Sequence, residues 1–166
     1  MPDVLDSRAY RRTIGRFATG VSVLTAAHDG RRFAMTANSI TSVSLEPPLV
    51  LACFMQDSDT GRAIRASGFF GLNVLDALRG EALARRFARK AEGDEDQLAG
   101  VDVHEGPHGL PLLEGCLEHL VCRVDCVHVV GDHDVVVAHA ECVDLPPAGS
   151  EPLVWYAGGF WALRPL

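Results

Sequence analysis

The chain has 166 residues, 48% of them hydrophobic, which suffices for one domain, residues 1–166, with a core that needs no disulfide or metal staple. Its net charge of −7 argues against nucleic acid as a partner, and its one basic cluster, RRFARK from Arg85 to Lys90, also carries helix-spaced apolar residues. No apolar run approaches the roughly 20 residues of a membrane span, Met1–Ser7 lacks the basic start of a signal peptide, and five cysteines form no C-x-x-C pair, so the expectation is a cytoplasmic protein with reduced thiols and no membrane contact.

In chain order, Ser7 is placed to cap a first helix in which Tyr10, Ile14 and Phe17 recur at helical spacing. Gly20 is its expected stop, and the apolar face is expected to lie on the sheet. Val21 to Ala26 reads as a strand, Asp29-Gly30 as a tight turn, and Arg32 to Thr36 as the return strand of a hairpin.

The segment that follows is the most unusual of the chain. MTANSITSVSLEPPLVLACF, from Met35 to Phe54, puts Thr36, Asn38, Ser39, Thr41, Ser42 and Ser44 within one extended stretch, a surface suited to a ligand rich in acceptors. Polar residues fall on both faces, so the chain is expected to leave its sheet near Ala37 and become irregular. Pro47-Pro48 then forces extension into a buried strand from Leu49 to Phe54.

Ser58, Asp59 or Thr60 can cap a short helix ending near Gly68, and the hydroxyls at such a helix start suit a phosphate, although Asp57 and Asp59 would oppose an anion. Phe69 to Leu75 is an apolar strand that contains Asn73, and a helix is expected from Ala77 to Lys90 with Leu78, Ala82, Leu83 and Phe87 along one face. An acidic loop, AEGDEDQLAG, leads to a Pro/Gly-rich connection from Gly106 to Gly115. Cys116 to Val130 alternates as a half-buried strand with Cys122, Val124 and Cys126 inward and Arg123 and Asp125 outward; Gly131-Asp132 turns it into a return strand from Asp134 to Leu145. Leu153 to Ala157 is a terminal strand leading through Gly158-Gly159 to Phe160 and Trp161. Many strands, short turns and two or three helices read as an antiparallel barrel with helices outside it.

The ordered strings RRTIGRFATGVSVLTA, MTANSITSVSLEPPLVLACF, FFGLNVL, GDH at Gly131–His133 and PLVWYAGGFWAL span nearly the whole chain. Together they resemble the flavin reductase family, the small NAD(P)H-using partners of two-component flavin monooxygenases. The resemblance implies a mainly β fold, an antiparallel Greek-key split β-barrel of the FMN-binding type, and a homodimer with flavin sites at the edges of the subunit interface. It further implies reduction of free FMN or FAD by NADH or NADPH, with reduced flavin passed to a separate monooxygenase.

Carried over residue by residue, the resemblance places flavin against Met35, Thr36, Ala37, Asn38, Ser39, Ser42, Val43, Cys53, Phe54, Ser58, Thr60, Phe87 and Ala88. It places the nicotinamide by His133, Tyr156 and Gly158, with His133 positioning rather than exchanging a proton. Trp155 is assigned to the barrel or the dimer interface, because its side chain points opposite to that of Tyr156. Where the family often carries a basic residue beside an aromatic one, this chain has Gln97 and Leu98, which puts ion pairing of the ligand through that loop in doubt.

No metal site is expected, since no histidine, cysteine or carboxylate set has ligand spacing. No nucleophile elbow and no G-x-G-x-x-G turn is present, so NAD(P)H is expected to bind without a Rossmann domain. The alternative reading is a flavin- or tetrapyrrole-binding split barrel that carries electrons or stores a ligand without turnover. A pyridoxamine-phosphate oxidase type of enzyme fits less well, because the polar segment lacks basic residues.

Overall fold

The computed structural model describes residues 6–90, 96–144 and 151–163. Helix α1 (Ser7–Ile14) is capped one residue earlier than expected, by Asp6, whose carboxylate accepts the Arg8 amide at 3.1 Å, and it stops at Gly15 rather than Gly20. A carboxylate holds the first-turn amides at least as well as a serine, and Gly15 is the nearer breaker. The expected packing of α1 on the sheet does not occur: Tyr10, Ile14 and Phe17 are 55%, 53% and 72% exposed, and no residue of the helix is buried. Periodicity identifies the apolar stripe but not what covers it.

After the short strand β1 (Thr19–Gly20), β2 (Ser22–His28) and β3 (Arg31–Ala37) form the expected hairpin. Asp29 and Gly30 supply its turn with φ of 49° and 72°. The chain leaves the sheet at Ala37, but the irregular stretch is only Asn38-Ser39; residues expected to stay irregular instead form β4 (Ile40–Leu45), antiparallel to β5 (Pro48–Met55). Backbone pairing with β5 satisfies these amides better than local serine bonds do.

Helix α2 (Asp59–Ser67) is capped by Ser58, whose hydroxyl accepts the Gly61 amide at 3.0 Å, and ends at Gly68 with φ of 78°. Next come β6 (Phe69–Val74) and α3 (Gly80–Phe87). α3 is shorter than expected because the Asp76 carboxylate accepts the amides of Arg79 and Gly80 at 2.8 and 3.1 Å, which sets the start of the helix. Leu78 is therefore outside the helix and 84% exposed; Ala82 is exposed too, and the buried face is Gly80, Ala84 and Phe87. The Pro/Gly-rich stretch holds a small hairpin, β7 (Val103–Glu105) with β8 (Pro111–Leu113).

The long strands β9 (Glu118–Val130) and β10 (His133–Asp144) pair with two register shifts, at Asp125 and at Glu141. The first shift moves the inward face: Leu120, Cys122 and Val124 face the core, then Val127, so Cys126 does not join them as simple alternation predicted. The terminal hairpin of β11 (Leu153–Tyr156) and β12 (Gly159–Ala162) pairs with β1 in a separate three-stranded sheet.

The main sheet has the order β3-β2-β6-β9-β10-β5-β4, all antiparallel. Its two edges, β3 and β4, are consecutive in sequence and separated by Asn38-Ser39 alone. A flat sheet would hold these edges roughly 29 Å apart, at about 4.8 Å per strand, whereas the connection spans at most about 11 Å. The sheet must therefore roll up, and its edges meet at the polar segment. Inside lie Leu24, Ala37, Ala52, Phe54, Ile64, Phe70, Cys122 and Val136. A second core outside the barrel packs α3 and β11 on β2 through Val21, Leu75, Ala84, Phe87 and Leu153. No helix among the described residues is long and apolar enough to cross a membrane.

Candidate active site

Where the rolled sheet meets itself, a cleft of about 360 Å³ opens between the end of β3, the end of β5, the start of α2 and the residues after α3. Every residue predicted for flavin lines it except Ser42 and Val43. Those two lie on β4, where Val43 is the extra residue of a register shift and stands 50% exposed. His133, predicted for nicotinamide, also lines the cleft.

Phe54 and Phe87 are 4% and 5% exposed, so each serves at once as core and as an apolar wall. α2 comes so close to Phe54 that a Cβ on Gly61 would meet its ring at 2.7 Å. The thiol of Cys53, on the same strand, is pushed up in pKa by burial and stays protonated at neutral pH.

Local bonds decide which polar groups remain available. The Thr36 hydroxyl donates to the Ala84 carbonyl at 2.7 Å, so it offers a ligand an acceptor rather than a donor. One Asn38 amide hydrogen is taken by the Thr19 hydroxyl at 3.2 Å, leaving the other and the amide oxygen. Ser58 donates to the Met35 sulfur while accepting from Gly61.

Asp57 and Asp59, expected to repel an anion here, are both countered. The Lys90 ammonium stands 3.7 Å from Asp57, and Arg62 pairs with Asp59 while also bonding the Asp57 carbonyl at 2.9 Å. Arg89 and Lys90 line the cleft as well. They are the end of the basic cluster RRFARK, and that run was the signal in the sequence for the cations that the polar segment lacks. Gln97 lines the wall too, its side-chain oxygen accepting the Ala34 amide at 2.8 Å. The adjoining Asp96 pairs with Arg32, whose hydrogen bond holds that carboxyl below its usual range. Of the acidic loop, residues 91–95 lie outside the described residues.

His133 sits at a well-anchored turn. The Gln56 side chain donates to the Gly131 carbonyl at 3.0 Å, and the neighbouring Asp134, 2% exposed, pairs with Arg65. His133 Nδ1 is 2.6 Å from the Asp132 carboxylate, and this hydrogen bond lowers the Asp132 pKa. An ionised carboxylate only accepts, so Nδ1 carries the proton and Nε2 of the neutral ring is an acceptor.

A second cleft, of about 560 Å³, shares Thr36, Asn38, Ala88 and Arg89 with the first and is completed by Val21, Arg85, Trp155 and Phe160. Trp155, assigned to the barrel or the dimer interface, packs instead on the outer core and also lines this hollow. Tyr156 and Gly158 line neither cleft: the Tyr156 hydroxyl is 3.4 Å from Arg16, and Gly158 lies in the hairpin turn with φ of 83°. Alternation separated the two aromatic side chains correctly, but not which side holds the hollow. Among the described residues no group of three histidines, cysteines or carboxylates stands close enough to hold a metal ion.

A barrel split at one seam, with a cleft there walled by aromatic rings and closed by a capped helix start and two cations, is the architecture of a flavin-binding split barrel. The chain belongs to the flavin reductase-like domain family, which matches residues 14–164. It is 37% identical over 162 residues to the flavin-dependent monooxygenase reductase subunit HsaB of Mycobacterium tuberculosis, covering 97% of this chain and 84% of that one. It is 38% identical over 159 residues to an NADH-dependent flavin reductase of a Rhodococcus species, covering 94% and 86%. Among solved structures, the NADH:FAD oxidoreductase SgcE6 of Streptomyces globisporus superposes with a TM-score of 0.90 at 36% identity, covering 99% of this chain and 98% of that one.

Proposed function

We propose that the protein is an NAD(P)H:flavin oxidoreductase that reduces free FMN or FAD and supplies the product to a separate monooxygenase. The observation that carries this is the convergence, in one cleft, of the polar segment, the Ser58-capped helix start and His133. The cleft fits the group: its volume lies in the range of small-molecule sites, and Phe54 and Phe87 give flat apolar walls. Thr60, Arg89 and Lys90 supply a hydroxyl and cations for a phosphate, and Ser58 can donate to it by giving up its bond to the Met35 sulfur. NADH as donor is supported by the named relatives, two of which are NADH enzymes by description.

When bound, the flavin supplies N5 as acceptor for the hydride from nicotinamide C4. The chain's own contribution is position and polarity. Asn38 and Ser39, at the seam, face the ligand with short donors, and Cys53 and Phe54 keep one wall dry. His133, held by Asp132, offers Nε2 to a carboxamide N–H without exchanging a proton. The deciding experiment follows NADH absorbance with and without added FMN or FAD. Consumption that flavin does not accelerate would return the protein to the ligand-binding reading.

Replacing Asn38 with alanine, or Thr60 with valine, should weaken flavin about ten- to a hundredfold, read by fluorescence titration, where the lost bond is to a charged group. Ser58→Ala should add to that a loss of about 1 kcal/mol in stability, because Ser58 also caps α2. His133→Ala should raise the Michaelis constant for NADH about three- to tenfold and leave flavin affinity unchanged. A loss of flavin affinity instead would assign the turn to the flavin.

We also read the protein as a homodimer acting in the cytoplasm. Support comes from the exposed apolar side chains of α1 and from Val43 and Leu45 on β4, an edge strand of the sheet, with Leu45 89% exposed. Sedimentation at micromolar concentration tests the assembly.

A further inference from the structure

We propose that Gln56 is a positioning residue for the hydride transfer: by clamping the turn between β9 and β10 it sets where His133 meets the nicotinamide. The inference rests on the reductase reading, and it concerns a residue that lines neither cleft. The turn needs a clamp because its hairpin outruns the neighbouring strands. β6 pairs with β9 from Glu118 to Arg123, and Val124 then donates its amide to the Gly68 carbonyl at 2.8 Å. From Cys126 to Val130 the one strand partner of β9 among the described residues is β10. Val129 and Val130 are largely exposed, so little packing steadies this two-stranded tip. The His133 ring is tied there by its bond to Asp132, whose side chain is itself exposed. The aim of Nε2 therefore depends on the backbone of the turn.

Gln56 follows β5 directly and meets that turn at each of its three residues. Its amide donates to the Asp132 carbonyl at 3.2 Å, and its side-chain nitrogen donates to the Gly131 carbonyl at 3.0 Å and, more weakly, to that of His133 at 3.4 Å. A side-chain NH2 carries two hydrogens for two carbonyls, whereas a carboxylate of the same shape carries none. The clamp is itself held. The Gln56 carbonyl accepts from Arg65 at 3.2 Å, and Arg65 pairs with the buried Asp134.

Placement supplies the second argument. Gln56 shortly precedes Ser58, which caps α2 at the end of the first cleft that offers hydroxyls to a phosphate, so one short segment fixes both that helix start and the turn of His133. The flavin and the nicotinamide are thus placed from one stretch of chain. Hydride transfer needs the two rings in register, and a misplacement of about 1 Å slows such a step severely.

The test uses the full chain with Gln56→Met and Gln56→Glu, which keep the length of the side chain and remove both donors, with thermal melts to verify folding. Each should raise the Michaelis constant for NADH about three- to tenfold, with kcat and flavin affinity within about twofold of wild type. In the His133→Ala background the same substitutions should add nothing, because Gln56 acts through that ring. Nitrogen NMR of the ligand-free protein should show the His133 ring passing from the Nδ1-protonated tautomer to a mixture of both. A Michaelis constant within about twofold of wild type in both variants overturns the proposal, as do losses that add to those of His133→Ala. A flavin affinity that falls as far as the NADH constant rises also overturns it. A protein that consumes no NADH with either flavin refutes the reductase reading instead, and the His133 resonances then decide this one, since resonances unchanged by either substitution remove the clamp.

Discussion

Replacing Arg65 with methionine is expected to destabilise the protein by about 3–5 kcal/mol, a fall of roughly 6–20 °C in Tm for a chain of this size. The reason is the partner left behind. Asp134 is 2% exposed on β10 and pairs with Arg65 of α2, so removing the guanidinium strands a carboxylate away from water. The same guanidinium bonds the Gln56 carbonyl at 3.2 Å, and Gln56 in turn holds the Gly131 carbonyl, so the turn that carries His133 should loosen as well. Removing both charges together, with Asp134→Val in the Arg65→Met background, should recover most of the loss. Urea denaturation of the two single variants and the double variant gives the coupling directly, and additive losses would show that the pair is not the cause.

The second large effect is expected at Asn73, a polar residue in the middle of the apolar string FFGLNVL. It is fully buried and acts as a three-way bolt: its amide donates to the Val23 carbonyl at 2.9 Å and to the Thr25 hydroxyl at 3.2 Å, and its oxygen accepts the Leu113 amide at 2.8 Å. Strands β2, β6 and β8 are thereby joined through one side chain. Asn73→Leu keeps the volume but leaves the Leu113 amide without that acceptor, and should cost roughly 2–4 kcal/mol by the penalty for unsatisfied buried groups. Chemical denaturation reads it; a loss below about 0.5 kcal/mol would mean that the hairpin of β7 and β8 finds another acceptor.

These two residues mark where the sequence was legible and where it was not. Hairpin turns, a helix cap among Ser58, Asp59 and Thr60, and the Leu49 strand could be read because each depends on neighbours within a few positions. What Asn73 bonds depends on strands some 40 to 50 residues away, and no local pattern contains that. The same limit explains α1, whose apolar stripe was evident while its covering was not, and β9, where a single extra residue at Asp125 reversed the faces that alternation had assigned.

In the candidate site, the polar segment was legible as a cluster of hydroxyls and amides, and the resemblance ordered it. The donor roles were not, since Thr36 spends its proton on a carbonyl of α3. Nor were the cations. Arg89 and Lys90 reach the cleft because α3 ends at Phe87, and a helix predicted to run through to Lys90 kept them as its continuation. Trp155 shows the remaining gap, for its turning away from Tyr156 was anticipated and neither the outer core it packs on nor the hollow beside it was.

The meeting of β3 and β4 has a consequence for the ligand that concerns chain entropy. The connection that closes the barrel is two residues, as short as the hairpin turns within the sheet, while the strands it brings together stand farthest apart in pairing order. Loop-closure entropy grows with the length of the loop, so joining these edges costs the chain little once the rest of the sheet is paired. A ligand is not needed to draw the edges together, and its binding energy is not consumed in ordering them. The seam is preorganised, and a diffusing flavin can enter and leave a site that persists without it.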